Sequence, residues 1–304
     1  MRIGYACINT ILADQNIYVN RSMIKRTFLE KGINYASQLA LLNIKDLQKV
    51  LDWNIENNIL LYRMSSEMIP WMSEYELNDL PDFESIKNIL FQCGKKVMGR
   101  GHRITFHPGP FNVLASSSEI VIKKTIKELR QHGEIMDLLG LPQTPFAKIN
   151  IHLGGSYGNK TEAIKRFCEN IKHLPANVLR RLTIENDDKL NMFSVKDLYE
   201  VYERSGIPIV FDYLHHQFCT GGLTEEEAFS LALKTWPKEI TPLVHSSSSK
   251  KMFEDASALP TAHADFIYSP VNLYGSNADI MLEAKAKEKA VLKYIENYRI
   301  YANF

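Results

Sequence analysis

Six short apolar, β-branched runs each end in a side chain that can bind a metal ion. They are ITFH at His107, INIH at His152, LTIE at Glu185, PIVFD at Asp212, PLVH at His245 and IMLE at Glu283. Neighbouring members lie 27 to 45 residues apart, about the length of one strand-plus-helix unit. Any one of them alone reads as an ordinary hydrogen-bonded loop residue. Six in register read differently, because gathering buried carboxylates and imidazoles costs several kcal/mol each unless metal or partners compensate. His215 and His216 follow Asp212 closely, and His263-Ala-Asp265 precedes the last run, which brings the candidates to at least eight. That exceeds the needs of one ion, so two or three divalent ions sharing a carboxylate are expected, with Glu185, central in the series, as the bridge. Imidazole mixed with carboxylate suits Zn, Mn, Fe or Co better than Ca. Such a cluster fits hydrolysis of a phosphate ester.

For these side chains to meet, the elements that carry them must converge. Short β-branched runs alternate with helical patterns along the whole chain, the mark of repeated βα units on a parallel sheet. Eight strands are predicted: Arg2–Ile8, Ile59–Met64, Ile104–Phe106, Ala147–Ile151, Arg181–Ile184, Ile207–Phe211, Thr241–Val244 and Ala278–Leu282. A closed (β/α)8 TIM barrel accommodates them best, with an open doubly wound sheet as the fallback. In the barrel all strand C-termini share one mouth. Ser116-x-x-Glu119 and Thr224-x-x-Glu227 read as capping boxes, and Gly140 followed by Pro142 as a helix stop. Ile122, Ile126, Leu129 and Met136 recur near helical spacing, a face expected to pack on the barrel.

No Pro/Ser/Gly-rich linker interrupts the 304 residues, so a single catalytic domain over 1–304 is expected. Basic residues (36) balance acidic ones (35), so any nucleic-acid contact must be a local patch. Lys95, Lys96, Arg100 and Arg103 form one candidate patch; Lys250, Lys251, Lys285, Lys287 and Lys289 form others. His102, His132 and His173 read as solvated structural residues. GxGxxG and P-loop patterns are absent, which weakens a nucleotide-cofactor reading. The cysteines Cys7, Cys93, Cys168 and Cys219 are scattered without a CxxC pair, there is no signal-like N-terminus, and no apolar run approaches membrane-spanning length. A cytoplasmic protein without a membrane partner is the expectation.

The segments INIHLGGSYGNK, LTIENDDK, VFDYLHH, HADFI and IMLEAKAKEKA, with RIGYACIN and YRMSS nearer the N-terminus, strongly resemble the UV damage endonucleases. The resemblance runs from about Met1 to Ala290. It implies a barrel related to endonuclease IV, a cluster of divalent metals, most often Mn2+ (Mg2+, Co2+ or Zn2+ being alternatives), and damaged double-stranded DNA as the partner of a monomeric enzyme. The implied reaction nicks DNA immediately 5′ to UV photoproducts, leaving a 3′-hydroxyl and a 5′-phosphate, with abasic sites as further substrates. Matched motif by motif, the implied ligands are His107, His152, Glu185, Asp212, His215, His245, His263 and Glu283. His216 then falls to a supporting role. The HPGPF loop resembles the family's lesion-probing loop, placing Pro110 and Phe111 at the damage. A rigid or aromatic wedge enters most cheaply where stacking is already poor; in isolation Pro-Gly-Pro is simply a tight turn. Tyr5 and Asn9 match family positions near the bound lesion, with packing in the barrel mouth as the plainer alternative.

Two departures stand out. Strand seven of the relatives carries a lysine that can be carboxylated beside the metals, where this chain has Leu243 on the same strand face as His245. Relatives also have a histidine soon after the serine pair of strand two, where MIPWMSEYE offers Glu74. Two rival readings remain at this level. A sugar isomerase or epimerase of similar barrel fold would need one or two metals and a small closed pocket, and a damage-binding protein would mark lesions without cutting.

Overall fold

The computed structural model describes residues 1–298. Its eight strands are all parallel: β1 (Ile3–Ala6), β2 (Leu61–Met64), β3 (Arg103–Phe106), β4 (Ile149–Ile151), β5 (Leu182–Glu185), β6 (Ile209–Val210), β7 (Leu243–Ser246) and β8 (Asp279–Leu282). They pair in the order β6-β5-β4-β3-β2-β1-β8-β7. The ring closes between β6 and β7 through a single bridge, Asp212 to His245, where the His245 N–H donates to the Phe211 carbonyl at 2.9 Å. This is the expected (β/α)8 barrel, joined through a single residue pair both here and between β3 and β4. Each predicted strand is present within a few residues of its expected bounds. The sixth is cut to two residues, and Asp212 beyond it both bridges to His245 and caps the helix Tyr213–Phe218.

Alternation along the strands divides inside from outside. Ile104, Phe106, Ile149, Ile151, Leu182, Ile184, Ile280 and Leu282 face outward into the large apolar layer beneath the helices. Inward residues form two unlike halves. On one side Ala6, Leu61, Val210, Leu243 and Met281 pack as an apolar plug, floored by Trp236 and Ile240. Thr105, Asn150 and Thr183 of β3, β4 and β5, with Lys148 just before β4, are all fully buried on the other side. Leu243 is therefore a member of the plug. Gly4 is required where β1 meets β2, since a Cβ there would lie 1.9 Å from the Leu61 carbonyl oxygen.

The helices follow their sequence signals with one exception. Thr224 and Glu227 form the predicted capping box, and Gly140 closes the helix Glu119–Leu138 in the left-handed region at φ 68°. Ser116, by contrast, does not cap that helix. Ser118 occupies the N-cap, and the Ser116 hydroxyl accepts from the Ser118 N–H instead. Leu129 and Met136 of the predicted face are buried against the barrel, and Ile126 packs partly buried beside them.

At the end of the barrel away from the strand C-termini, Arg103 is fully buried. Its guanidinium donates to Asp279 (2.9 Å) and to the carbonyls of Pro145, Phe146 and Thr241, and it lies over the rings of Phe146 and Trp236. This corrects the proposed phosphate contact for the cluster of Lys95, Lys96, Arg100 and Arg103. Arg103 seals the barrel floor, Lys96 pairs with Asp52, and the group lies at the end opposite the ligand-bearing mouth. Two of the histidines read as solvated are also corrected. His102 is buried with both ring nitrogens unpartnered, and burial pushes its pKa down to about 3. His132 is buried edge-on to Phe106 with Nδ1 at 2.8 Å from the Glu128 carbonyl. His173 is exposed as expected. Removing the carboxylate that neutralises Arg103 leaves a buried charge unpaired, so Asp279→Ala is expected to cost about 3–5 kcal/mol in urea unfolding, and Arg103→Met combined with Asp279→Leu to recover much of that loss.

Candidate metal centre

All eight implied ligands lie at the C-terminal mouth. His107 and His152 immediately follow β3 and β4, Glu185 ends β5, His245 lies in β7 and Glu283 follows β8. Asp212 is the N-cap of the helix Tyr213–Phe218, where its Oδ1 accepts the His215 N–H at 2.8 Å, so one short motif fixes two candidate ligands. His263 is brought in by an antiparallel bridge to Ser249.

Two groups of donors share one carboxylate. His107, His152 and Glu185 each turn a ligand atom into a common space where all lie within 4.8 Å of one another, and Glu185, Asp212 and His245 do the same. Glu185 Oε2 is 3.1 Å from His107 Nε2 and 3.0 Å from His245 Nδ1, while Oε1 is 3.4 Å from His215 Nδ1. His245 Nδ1 also lies 3.1 Å from Glu283 Oε1. His263 sits further out, 3.9 Å from Glu283 Oε2. The imidazole rings of His107, His152 and His215 follow one another at 5.4 and 5.6 Å.

Hydrogen bonding leaves part of this set unsatisfied. Asp212 Oδ2, His152 Nδ1 and His245 Nδ1 are buried without an aligned hydrogen-bond partner, although His152 Nδ1 is close to the Asp187 carboxylate and His245 Nδ1 to those of Glu185 and Glu283. An orphaned carboxylate oxygen and imidazole nitrogen in a group built around a shared carboxylate are what a divalent cation would satisfy, and the mixed donor set suits a transition metal. Glu74 does not join it. That residue is exposed in the short helix Met72–Glu74 and belongs to neither donor group.

Electrostatics divide the donors. Burial opposes charge on Glu185, yet His245 and His107 outweigh it and hold the carboxyl well below its ordinary range. Glu283 is likewise held down against burial, chiefly by Arg63. Burial raises Asp212, only partly offset by His215. Among the rings, burial pushes His107 down to about 4 in spite of Glu185. For His215 burial is overcome by Asp212, Glu185 and Glu283, which push it up to about 9. Its Nδ1 lies 2.9 Å from the Asn186 carbonyl, which leaves Nε2 free for an ion.

Several supporting residues escaped the sequence reading. Arg63 pairs with Glu283, Asn150 donates to Glu185 and is itself held by Thr183 at 2.7 Å, and Asp187 Oδ1 is 3.0 Å from His152 Nδ1. Asn186 exchanges hydrogen bonds with the Asp212 backbone. Lys148 Nζ lies 3.1 Å from His245 Nε2, and burial drives its amine well below the usual lysine range. The period-two spacing of Lys148, Asn150 and His152, and of Thr183 and Glu185, is the signal that identifies Lys148, Asn150 and Thr183 once the ligands are known. His216 is buried against Phe211, consistent with a supporting place.

The residues expected at a lesion separate. Pro110 and Phe111 are exposed at the mouth, Phe111 to 86%. Their loop is anchored by Asn112, which donates to Gly109 and Glu128, and it interlocks with the loop after β4, since a Cβ on Gly154 would meet Val113 at 2.1 Å. Tyr5 and Asn9 are packed within the protein. Tyr5 faces outward from the barrel, donating at 2.7 Å to Asn54 of the helix Lys25–Glu56, and Asn9 donates to the Tyr5 hydroxyl while capping the helix Thr10–Ala13. Both are buried. Lys189 and Lys285 are exposed on loops at the mouth end, and Lys251 and Lys289 are exposed in the first turns of the helices Lys250–Phe253 and Glu288–Tyr298.

A family model described as UV-endonuclease UvdE matches residues 1–303. The chain belongs to the UV-endonuclease family. The UV DNA damage endonuclease of Clostridium perfringens is 33% identical over 305 residues, spanning 98% of this chain and 71% of that protein. The crystal structure of SacUVDE, 32% identical, matches with a TM-score of 0.85 over 98% of each chain. Endonuclease IV from Thermus thermophilus, at 11% identity and a TM-score of 0.56 over 97% of each chain, shares the fold alone. Among the described residues of this UV-endonuclease family member, no helix is long and apolar enough to cross a membrane.

With its pKa near 9, His215 holds a proton at neutral pH that a cation at this ring must displace. Mn2+ titrated into metal-free protein at pH 7 should therefore release protons, read by calorimetry in buffers of different ionisation heat. Binding should tighten from pH 7 towards 9.

Proposed function

We propose that this UV-endonuclease family member is a monomeric, metal-dependent DNA repair endonuclease. It cuts duplex DNA immediately 5′ to cyclobutane dimers and 6-4 photoproducts, leaving a 3′-hydroxyl and a 5′-phosphate, and accepts abasic sites as further substrates. The observation that carries the reading is the pair of donor groups sharing Glu185 at the mouth of a barrel whose whole sequence matches a UV-endonuclease family.

Two or three divalent ions, Mn2+ before Mg2+, Co2+ or Zn2+, would activate a water and neutralise the phosphoryl oxygens there. His107, His152 and Glu185 would hold one ion, and Glu185, Asp212 and His245 a second. His215, His263 and Glu283 complete the cage. Arg63 keeps Glu283 ionised and oriented, and Asn150 does the same for Glu185. Phe111, with Pro110 stiffening its turn, wedges into the duplex where a photoproduct has already weakened stacking, and the lysines of the surrounding loops grip the backbone.

The test incubates UV-irradiated and undamaged duplexes with the protein and Mn2+, beside Glu185→Gln. Nicks 5′ to the lesions in irradiated DNA alone are expected. Glu185→Gln should lose on the order of 100-fold or more in rate, since even removing an outer partner of a ligand costs about 10–100-fold. Phe111→Ala should weaken binding to irradiated duplex by roughly tenfold, the worth of one base stacked on an aromatic ring. Irradiated DNA left intact across several divalent metals would sink the endonuclease reading; if it is bound yet uncut, the protein marks damage. Equal cutting of undamaged DNA removes the damage specificity.

A further inference from the structure

Lys148 starts the run KINIH, so the alternation that turns His152 towards the mouth also turns Asn150 and Lys148 into the lumen below it. Its side chain crosses the barrel and stops with Nζ 3.1 Å from Nε2 of His245, both residues being fully buried. Buried lysines ordinarily end on a carboxylate. Here no Asp or Glu oxygen of the described residues lies within 4.0 Å of Nζ, and the imidazole is its hydrogen-bond partner.

The contact takes the far nitrogen of the ring. Nδ1 is left facing Glu185 Oε2 at 3.0 Å and Glu283 Oε1 at 3.1 Å. A half-turn of the ring would exchange Nδ1 for a carbon and move Nε2 off the amine. Nothing on the ring's own strand could oppose that turn, because the inward residue below it is Leu243, part of the apolar plug. A hold on Nε2 must come from across the lumen, and Lys148 is placed to supply it.

We infer that Lys148 is a positioning residue for the metal centre: by holding Nε2 of His245 it makes Nδ1 the nitrogen presented to the cation shared with Glu185 and Asp212. This rests on the reading of that group as a metal site. It requires no DNA, so it can be tested apart from nicking.

The full chain, stripped with a chelator, is titrated with Mn2+ by calorimetry as wild type, Lys148→Met, His245→Ala and the double variant. Lys148→Met should keep its circular dichroism and bind Mn2+ about 10–100-fold more weakly. In the His245→Ala background it should bring no further loss, because its effect passes through that ring. With Zn2+ bound, 15N spectra of the imidazoles should show metallation of His245 at Nδ1 in the wild type and loss of that single pattern in Lys148→Met. Should Lys148→Met fail to fold, Lys148→Gln, too short to reach the ring, replaces it in the same scheme. Wild-type affinity and an unchanged His245 spectrum in these variants would overturn the inference alone. So would an equal additional loss in the His245→Ala background. A wild-type protein that binds no Mn2+ overturns the metal centre and this inference with it.

Discussion

Three carboxylates, Glu185, Asp212 and Glu283, are held at the mouth of one barrel with little or no contact with water, and the remaining architecture is arranged around that cost. In isolation each would protonate or draw in solvent. Instead the rings of His107, His215 and His245, the guanidinium of Arg63 and the amide of Asn150 surround Glu185 and Glu283 and keep them ionised. Asp212 follows another course: one oxygen caps a helix and the other stays unpartnered, so the site retains an unmet demand for positive charge.

The division of the lumen follows from the same constraint. Polar supports reach the mouth from below on β4 and β5, where Thr183 holds Asn150 and Asn150 holds Glu185, while Arg63 of β2 reaches Glu283. The opposite wall needs no such chain and is filled by Leu61, Val210, Leu243 and Met281. Arg103 shuts the floor with backbone carbonyls and Asp279, so water reaches the carboxylates from the mouth side. Leu243, read from the sequence as a lost charge beside the metals, is part of the wall that lets Lys148 on the other side approach His245.

The strand ends were legible because one ligand-type residue per βα unit is a regular signal, and the barrel brings every strand end to one place. The supports were less so. Arg63, Lys148 and Asn150 sit in the middle or at the start of a strand, where a polar residue carries no regional spacing until the inward face is known. The direction of Tyr5 was not legible from a motif match: one residue along a strand reverses a side chain, and Tyr5 points into the helix layer. Charge alone placed Arg103 at the surface, whereas the apolar rings of Phe146 and Trp236 and a ring of carbonyls make a buried guanidinium tenable. The helix start near Ser116 was missed by two residues because Ser118 competes for the same turn.

The seam between β6 and β7 carries a consequence for how the molecule breathes. β6 is two residues long and is tied to β7 through Asp212 and His245, both of which are donors of one ion-binding group. A cation between them would act as a clasp across a joint secured by one backbone bridge. Amide protons around Phe211 and His245 would then exchange with solvent through an opening that loading suppresses, while those of the β1 and β2 ladder would feel it far less. The barrel would be a ring whose clasp is its active centre, closed most firmly when it is ready to work.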